Sequence, residues 1–181
     1  QVLKSEGADV SVTDLVLKAV TAALARHPAL NATLEDDVIT LHAEIDLGVA
    51  VALDDGLIVP VVRNAGAKSL AELIAEVRDL AERVRAKSAK PDEVSGSSFT
   101  VTNLGAYGID AFTPIINPPE VAILGVGRAV EMPIRDGDDM AWRQMITFSL
   151  TIDHRAVDGA PGAQFLQTLA EIIADPAALN D

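Results

Sequence analysis

Residues 144–159 read QMITFSLTIDHRAVDG. Ile146, Phe148, Leu150 and Ile152 alternate with polar Thr147, Ser149 and Thr151, the period-two pattern of a strand with one buried face. The alternation stops at Asp153-His154-Arg155, and Asp158-Gly159 is turn chemistry. From about Ala160 to Ala174 the period changes to that of a helix, with Phe165, Leu166, Leu169, Ile172 and Ile173 inward and Pro176 beyond. A strand thus leads through a polar turn into a helix. Such joints hold reactive side chains on a rigid scaffold while leaving them open to substrate.

Working outward, two more helices are predicted. One spans about Val12 to Arg26, with Ser11 and Asp14 spaced as a capping box and Pro28 as its stop. The other spans about Leu70 to Lys87, and Ser69 with Glu72 caps it in the same way. Strand-like runs fall at 38–42, 45–53, 57–62, 98–103 and 121–126. In 45–53 one face is Ile45, Leu47, Val49, Val51 and Leu53, and the other is small, with Gly48, Ala50 and Ala52. That asymmetry implies close packing on both sides. Pro60 marks 57–62 as an edge or irregular strand. Helices and strands interleave, so an α/β fold with a central sheet covered by helices is expected. The Pro- and Gly-rich loop from Gly105 to Glu120 has the length at which loops usually carry function.

The chain has 181 residues and no cysteine, which fits one domain, here residues 1–181, with a core large enough to need no disulfide or metal. Its 14 basic and 27 acidic residues give a net charge of −13. That balance points away from nucleic acid and from anionic membrane surfaces. No apolar run is long enough to span a bilayer. Zero cysteines excludes a thiolate nucleophile and fits a reducing compartment; a cytoplasmic location is expected.

The densest chemical signal is Asp153 to Gly159. If the strand's period continues, His154 shares the apolar face of Ile146 to Ile152, a setting that disfavours the imidazolium and leaves a neutral general base. Asp158, four residues on, is placed to order the loop by pairing with an arginine. Taken alone, the same residues also fit a structural turn. A metal site drawn from Asp153, His154 and Asp158 would rest on a single short segment. No metal is expected. His27 precedes Pro28 at a helix end and His42 lies in a short strand.

His154-Arg-Ala-Val-Asp158-Gly159 resembles the HxxxDG motif shared by dihydrolipoamide acyltransferases and chloramphenicol acetyltransferase. Stretches 12–33, 45–62, 68–85 and 98–127 are similar, in the same order, to the acyltransferase component of 2-oxo acid dehydrogenase complexes. The resemblance implies a chloramphenicol acetyltransferase-like fold with a mixed central sheet, assembling as a trimer. It implies transfer of an acyl group between dihydrolipoamide and coenzyme A. By that resemblance His154 is the base on the attacking thiol, and Asp158 holds the active-site loop through an ion pair. The hydroxyl that binds the tetrahedral oxyanion falls at Thr102, within Phe99-Thr100-Val101-Thr102-Asn103, where the commonest form has Ser. Asn103 is a second donor candidate. The stretch 54–62 resembles a segment near the substrate channel, where Gly56 would let backbone approach a ligand; a simple hairpin turn explains Gly56 equally well.

The resemblance further implies coenzyme A as a substrate, a lipoyl group carried on a separate domain, and no metal. Its partners would be two further copies of the chain, with His from one and the hydroxyl from the next. A larger cubic or icosahedral core, the lipoyl domain, and the decarboxylase and dihydrolipoamide dehydrogenase components complete the list. The similarity begins after the leading helix and strand of the family's domain, which carry an arginine-rich helix and part of the coenzyme A site. No lipoyl or subunit-binding domain is visible, so the chain reads as a catalytic-core piece. Its ending, Ala177-Ala178-Leu179-Asn180-Asp181, is a weak version of the apolar tail that joins trimers. The PPEVAI wording from Pro118 looks more like acetyl- or branched-chain-type members of the family than succinyl-type ones. Two rivals share the motif or the fold: a small-molecule O-acetyltransferase of the chloramphenicol acetyltransferase type, and a non-catalytic core scaffold. The second is disfavoured by the presence of His154.

Overall fold

A computed structural model describes residues 10–137 and 139–175, with Asp136 as backbone only. The tail 177–181 therefore lies outside the described residues. Among the described residues three α-helices form, α1 (Val12–Arg26), α2 (Leu70–Arg85) and α3 (Gly159–Ala174). Their local signals act as read. Ser11 and Asp14 close one capping box and Ser69 and Glu72 the other, each side chain satisfying the opposite backbone N–H.

The described residues also hold nine strands, in chain order β1 (Ala32–Glu35), β2 (Val38–Leu41), β3 (Leu47–Val49), β4 (Val51–Leu53), β5 (Gly56–Ile58), β6 (Val61–Val62), β7 (Phe99–Asn103), β8 (Ala122–Asp136) and β9 (Asp139–Ile152). Five of them make the central sheet, in the order β6-β3-β7-β8-β9. β3, β7 and β8 run parallel, while β6 and β9 are antiparallel at its edges, so the sheet is mixed. The pairs β1–β2 and β4–β5 are separate hairpins. The first turns on Asp36 and Asp37, both at positive φ, the primed geometry that short-side-chain acids tolerate.

The core lies between α1, α3 and one face of the sheet. Leu17, Val20 and Leu24 from α1, Phe165 and Leu169 from α3, and Leu47, Phe99, Val101 and Leu124 from the strands are all buried. Phe99 and Phe165 stack at a tilt with centroids 5.7 Å apart, tying β7 to α3. His27 sits edge-on to Phe165 and bonds Thr168 Oγ1 at 2.7 Å. His42 bonds Thr33 Oγ1 at 3.0 Å inside the first hairpin. Both of those histidines are structural.

The opposite face of β7, with Thr100 and Thr102, is covered by the loop after Asn103 rather than by a helix. Gly125 and Gly127 of β8 make room for it. A Cβ on Gly125 would sit 3.0 Å from the Phe112 ring, and one on Gly127 would sit 2.0 Å from the Asp110 carbonyl oxygen. Arg128 then fixes the loop twice, through its N–H to the Ile109 carbonyl at 2.8 Å and through an ion pair with Asp110.

Three expectations change. The run 45–53 is two strands. It splits at Ala50, whose N–H goes to the Val101 carbonyl at 2.9 Å, because residues before it pair with β6 and β7 while those after it pair with β5. The run 57–62 splits at Pro60, which has no N–H to donate and offers only its carbonyl to Val49. The runs at 121–126 and 144–153 prove to be the inner ends of one long hairpin, β8–β9, interrupted by a bulge between Val126 and Ala129.

Candidate active site

Asp153 shapes the turn that carries His154. Its N–H continues the ladder to the Val121 carbonyl at 2.8 Å, and its own carbonyl accepts from Ala156 and Val157 at 3.0 Å. Its carboxylate accepts from the Arg155 N–H at 3.0 Å and from the Arg155 guanidinium at 2.6 Å. Arg155 first through its guanidinium and then through its backbone N–H holds the Asp153 carboxyl down at about 2. In an Arg155→Ala variant the Asp153 carboxyl should rise toward the ordinary value of ~3.9, as read by carboxyl-carbon NMR titration. The sign is that of a depressed acid. The pair supports the fold above the ordinary carboxylate value, and that support is lost as pH falls toward 2. An Asp153 that still titrates near its wild-type position in the variant would show that Arg155 is not the cause.

His154 follows directly. The strand's alternation ends at Ile152, and the tight turn swings the imidazole out of the apolar face on which it was expected. Its side chain is 75% exposed in the single chain. Nδ1 faces Asp158 Oδ1 at 3.5 Å, four residues on. The arginine expected beside Asp158 is instead on Asp153, because an i,i+2 guanidinium reaches the carboxylate that precedes His154. Asp158 occupies the N-cap position of α3 without capping it through its side chain, which leaves the carboxylate free to face the imidazole.

Thr102 lies on β7, beside Gly125 in the ladder. It lines a cavity of about 400 Å³ with Thr100, Leu57, Phe112, Ile115 and Ile123, a volume typical of small-ligand sites. Most of that lining is apolar, with threonine hydroxyls and Asn117 as the polar points. Asn103 is used differently from a free donor. Its Nδ2 donates to Thr13 Oγ1 at 2.9 Å and its Oδ1 accepts the Gly105 N–H at 2.8 Å, so it fastens the end of β7 to α1 and to the following turn. Gly56 sits in the exposed β4–β5 hairpin after Asp54-Asp55. A Cβ there would meet nothing within 4 Å, so no close approach within the chain requires glycine. The next residue, Leu57, is the one that reaches the Thr102 cavity. Among the described residues no group of three or more His, Asp or Glu side chains could hold a metal ion.

Thr102 and His154 do not meet within one chain. Thr102 pairs with Gly125, and Gly125 pairs with Ser149 on β9, so β8 lies between them. His154 is a further five residues along. With strands ~4.8 Å apart and ~3.3 Å per residue, the two side chains are roughly 15–20 Å apart. The cavity loop was marked in the sequence by its length and its Pro- and Gly-rich composition. Phe112 and Pro114 carried no signal of their own; the cue was the small residue opposite them, Gly125.

A mixed sheet with a histidine turn at one edge and a threonine cavity on the far face is the architecture of an acyltransferase fold. The chain belongs to the family described as 2-oxoacid dehydrogenases acyltransferase (catalytic domain), which matches residues 1–180. The dihydrolipoyllysine-residue acetyltransferase component of the acetoin cleaving system of Bacillus subtilis is 43% identical over 173 residues, covering 96% of this chain and 44% of that protein. The chain thus spans less than half the length of that relative. Azotobacter vinelandii dihydrolipoamide acetyltransferase superposes with a TM-score of 0.91 at 40% identity, covering 98% of this chain and 74% of that one. Its structure was solved to investigate the role of a serine, a histidine and an asparagine in its catalytic mechanism. The cubic core of a pyruvate dehydrogenase multienzyme complex matches equally well, with a TM-score of 0.91, 41% identity, and 98% and 74% coverage. Chloramphenicol acetyltransferase shares the fold, with a TM-score of 0.63 at 16% identity over 94% of this chain and 81% of that one.

Proposed function

We propose that this chain transfers an acetyl group between dihydrolipoamide and coenzyme A at a site formed between two copies, with His154 from one and Thr102 from the other. The observation that carries this is the separation of the two residues across β8. Each has the chemistry its role needs, and neither can reach the other within a chain. A second support is spacing. The serine, histidine and asparagine investigated in the Azotobacter enzyme stand the same numbers of residues apart as Thr102, His154 and Asp158 do here.

The steps follow from side-chain chemistry. A free thiol has a pKa near ~8.5 and is mostly protonated at pH 7. Asp158 on the Nδ1 side favours the tautomer protonated there, which leaves the Nε2 lone pair to take the thiol proton. The sulfur then bonds the thioester carbonyl carbon, and the carbonyl π pair moves onto oxygen. The Thr102 hydroxyl donates to that oxyanion from a largely apolar cavity, a fixed donor aimed where charge develops. Collapse breaks the other carbon–sulfur bond, and His154 returns the proton to the leaving thiolate. Coenzyme A is a substrate in this scheme, and the lipoyl group arrives on another domain. Three copies around a threefold axis would complete three such sites, and a cubic core, with decarboxylase and dihydrolipoamide dehydrogenase partners, is the larger assembly proposed.

The acetyl assignment rests on the relatives, which are named as acetyltransferases. Branched-chain transfer is the reading it must beat. The test follows transfer of acetyl, isobutyryl and succinyl groups from coenzyme A to dihydrolipoamide by the full-length protein. Acetyl is expected to be fastest. Faster isobutyryl transfer would move the assignment to the branched-chain class, and an assembled protein inactive with all three would overturn the acyltransferase reading.

A further inference from the structure

The strongest feature outside the site just described is Glu120, a buried acid that the proposed chemistry does not use. Its residue is 3% exposed. One carboxyl oxygen, Oε1, accepts from the Ser97 hydroxyl, from Thr100 Oγ1 at 2.7 Å and from Asn117 Nδ2 at 3.1 Å. The other, Oε2, is buried with no hydrogen-bond partner. Burial pushes the Glu120 carboxyl above its ordinary value, which suits a group with one oxygen well served and one bare.

The three donors come from places that matter to Thr102. Thr100 is two residues before it on the same face of β7, and Thr100, Thr102, Asn117 and Pro118 line one cavity. Ser97 leads into β7. The Glu120 backbone is held independently, by a bridge to Thr33 and by the neighbouring Pro119 carbonyl and Val121 N–H, which bond Leu34 and Ala32. The Thr100 hydroxyl is confined from the other side as well. A Cβ on Gly48 would lie 2.7 Å from Thr100 Oγ1 and 2.8 Å from Val59 Cγ1, so only glycine leaves that hydroxyl its place.

We propose that Glu120 is a positioning residue for the oxyanion side of the site, its carboxyl group clamping loop 112–118 to β7 so that Thr102 presents its hydroxyl to the cavity. This rests on the role assigned to Thr102 above. Because a single oxygen accepts all three bonds, glutamine reproduces the clamp and alanine does not.

The test uses the full-length assembled protein with Glu120→Gln, Glu120→Ala, Thr102→Ala and the Glu120→Ala/Thr102→Ala pair. Glu120→Gln should keep kcat within about threefold, and Glu120→Ala should lower kcat roughly 10- to 100-fold, the scale of a small misplacement at a reacting centre. In the Thr102→Ala background the same Glu120→Ala change should cost under about threefold, because both act on one interaction. Amide hydrogen exchange across 112–118 should rise in Glu120→Ala alone. If Glu120→Ala does not assemble, Thr100→Val removes one donor without emptying the pocket and should lower kcat in the same direction. A normal kcat in assembled Glu120→Ala, or an undiminished effect in the Thr102→Ala background, overturns the proposal. A wild-type protein without acyl transfer overturns the acyltransferase reading instead, and the exchange measurement still decides whether Glu120 clamps the loop.

Discussion

Replacing His154 by alanine is expected to lower acyl-transfer turnover by roughly 100-fold or more, the usual scale for loss of a general base. The fold should survive intact. His154 is exposed on its turn in the single chain, and its polar neighbour there is Asp158 at 3.5 Å. The turn is built by Asp153 and Arg155, not by the imidazole. The variant should therefore melt within about 0.5 kcal/mol of wild type, as exposed substitutions generally do. The measurement pairs steady-state kinetics with thermal unfolding followed by circular dichroism. An assembled His154→Ala protein that turns over normally would remove this residue from the mechanism.

Thr102→Ala is expected to cost ~2–4 kcal/mol of transition-state stabilisation, a loss of roughly 30- to 1000-fold in kcat. Thr102→Ser keeps the hydroxyl and should retain most of the rate. A mixing experiment separates a shared site from two independent ones. When chains carrying His154→Ala and Thr102→Ala are unfolded together and reassembled in equal amounts, about one interface in four pairs an intact His154 with an intact Thr102. Activity should recover to about a quarter of wild type from two nearly inactive parents. Recovery no better than the parents would place both residues in one chain's site, against the separation across β8.

Local signals carried most of the fold. The three helices were legible because their caps and apolar stripes are written within a few residues, as in Ser69 with Glu72. The inner part of β9 was legible for the same reason. The outer part of the β8–β9 hairpin was not. Arg128, Glu131, Met132, Arg135, Met140 and Trp142 mix charge and apolar groups on strands whose side chains there are largely exposed, so no period of two marks a buried face. The breaks at Ala50 and Pro60 depend on which strand lies alongside, and that is long-range information.

The site divides in the same way. The turn bearing His154 stood out from residue types alone, but the direction of the imidazole did not. Asp153 captures Arg155 and closes the turn, a competition between neighbouring carboxylates that spacing does not resolve. Glu120 read as an ordinary polar residue at the end of a loop. Its importance depends on Ser97 and Thr100, which reach it only after β7 and β8 lie side by side.

If the site is shared as proposed, the distance between His154 and Thr102 also decides when the protein is active. A lone chain would hold two inert halves. Competence would then switch on with the encounter of copies, scale with local concentration and fade on dilution. A newly made chain would leave acyl thioesters untouched until it has neighbours.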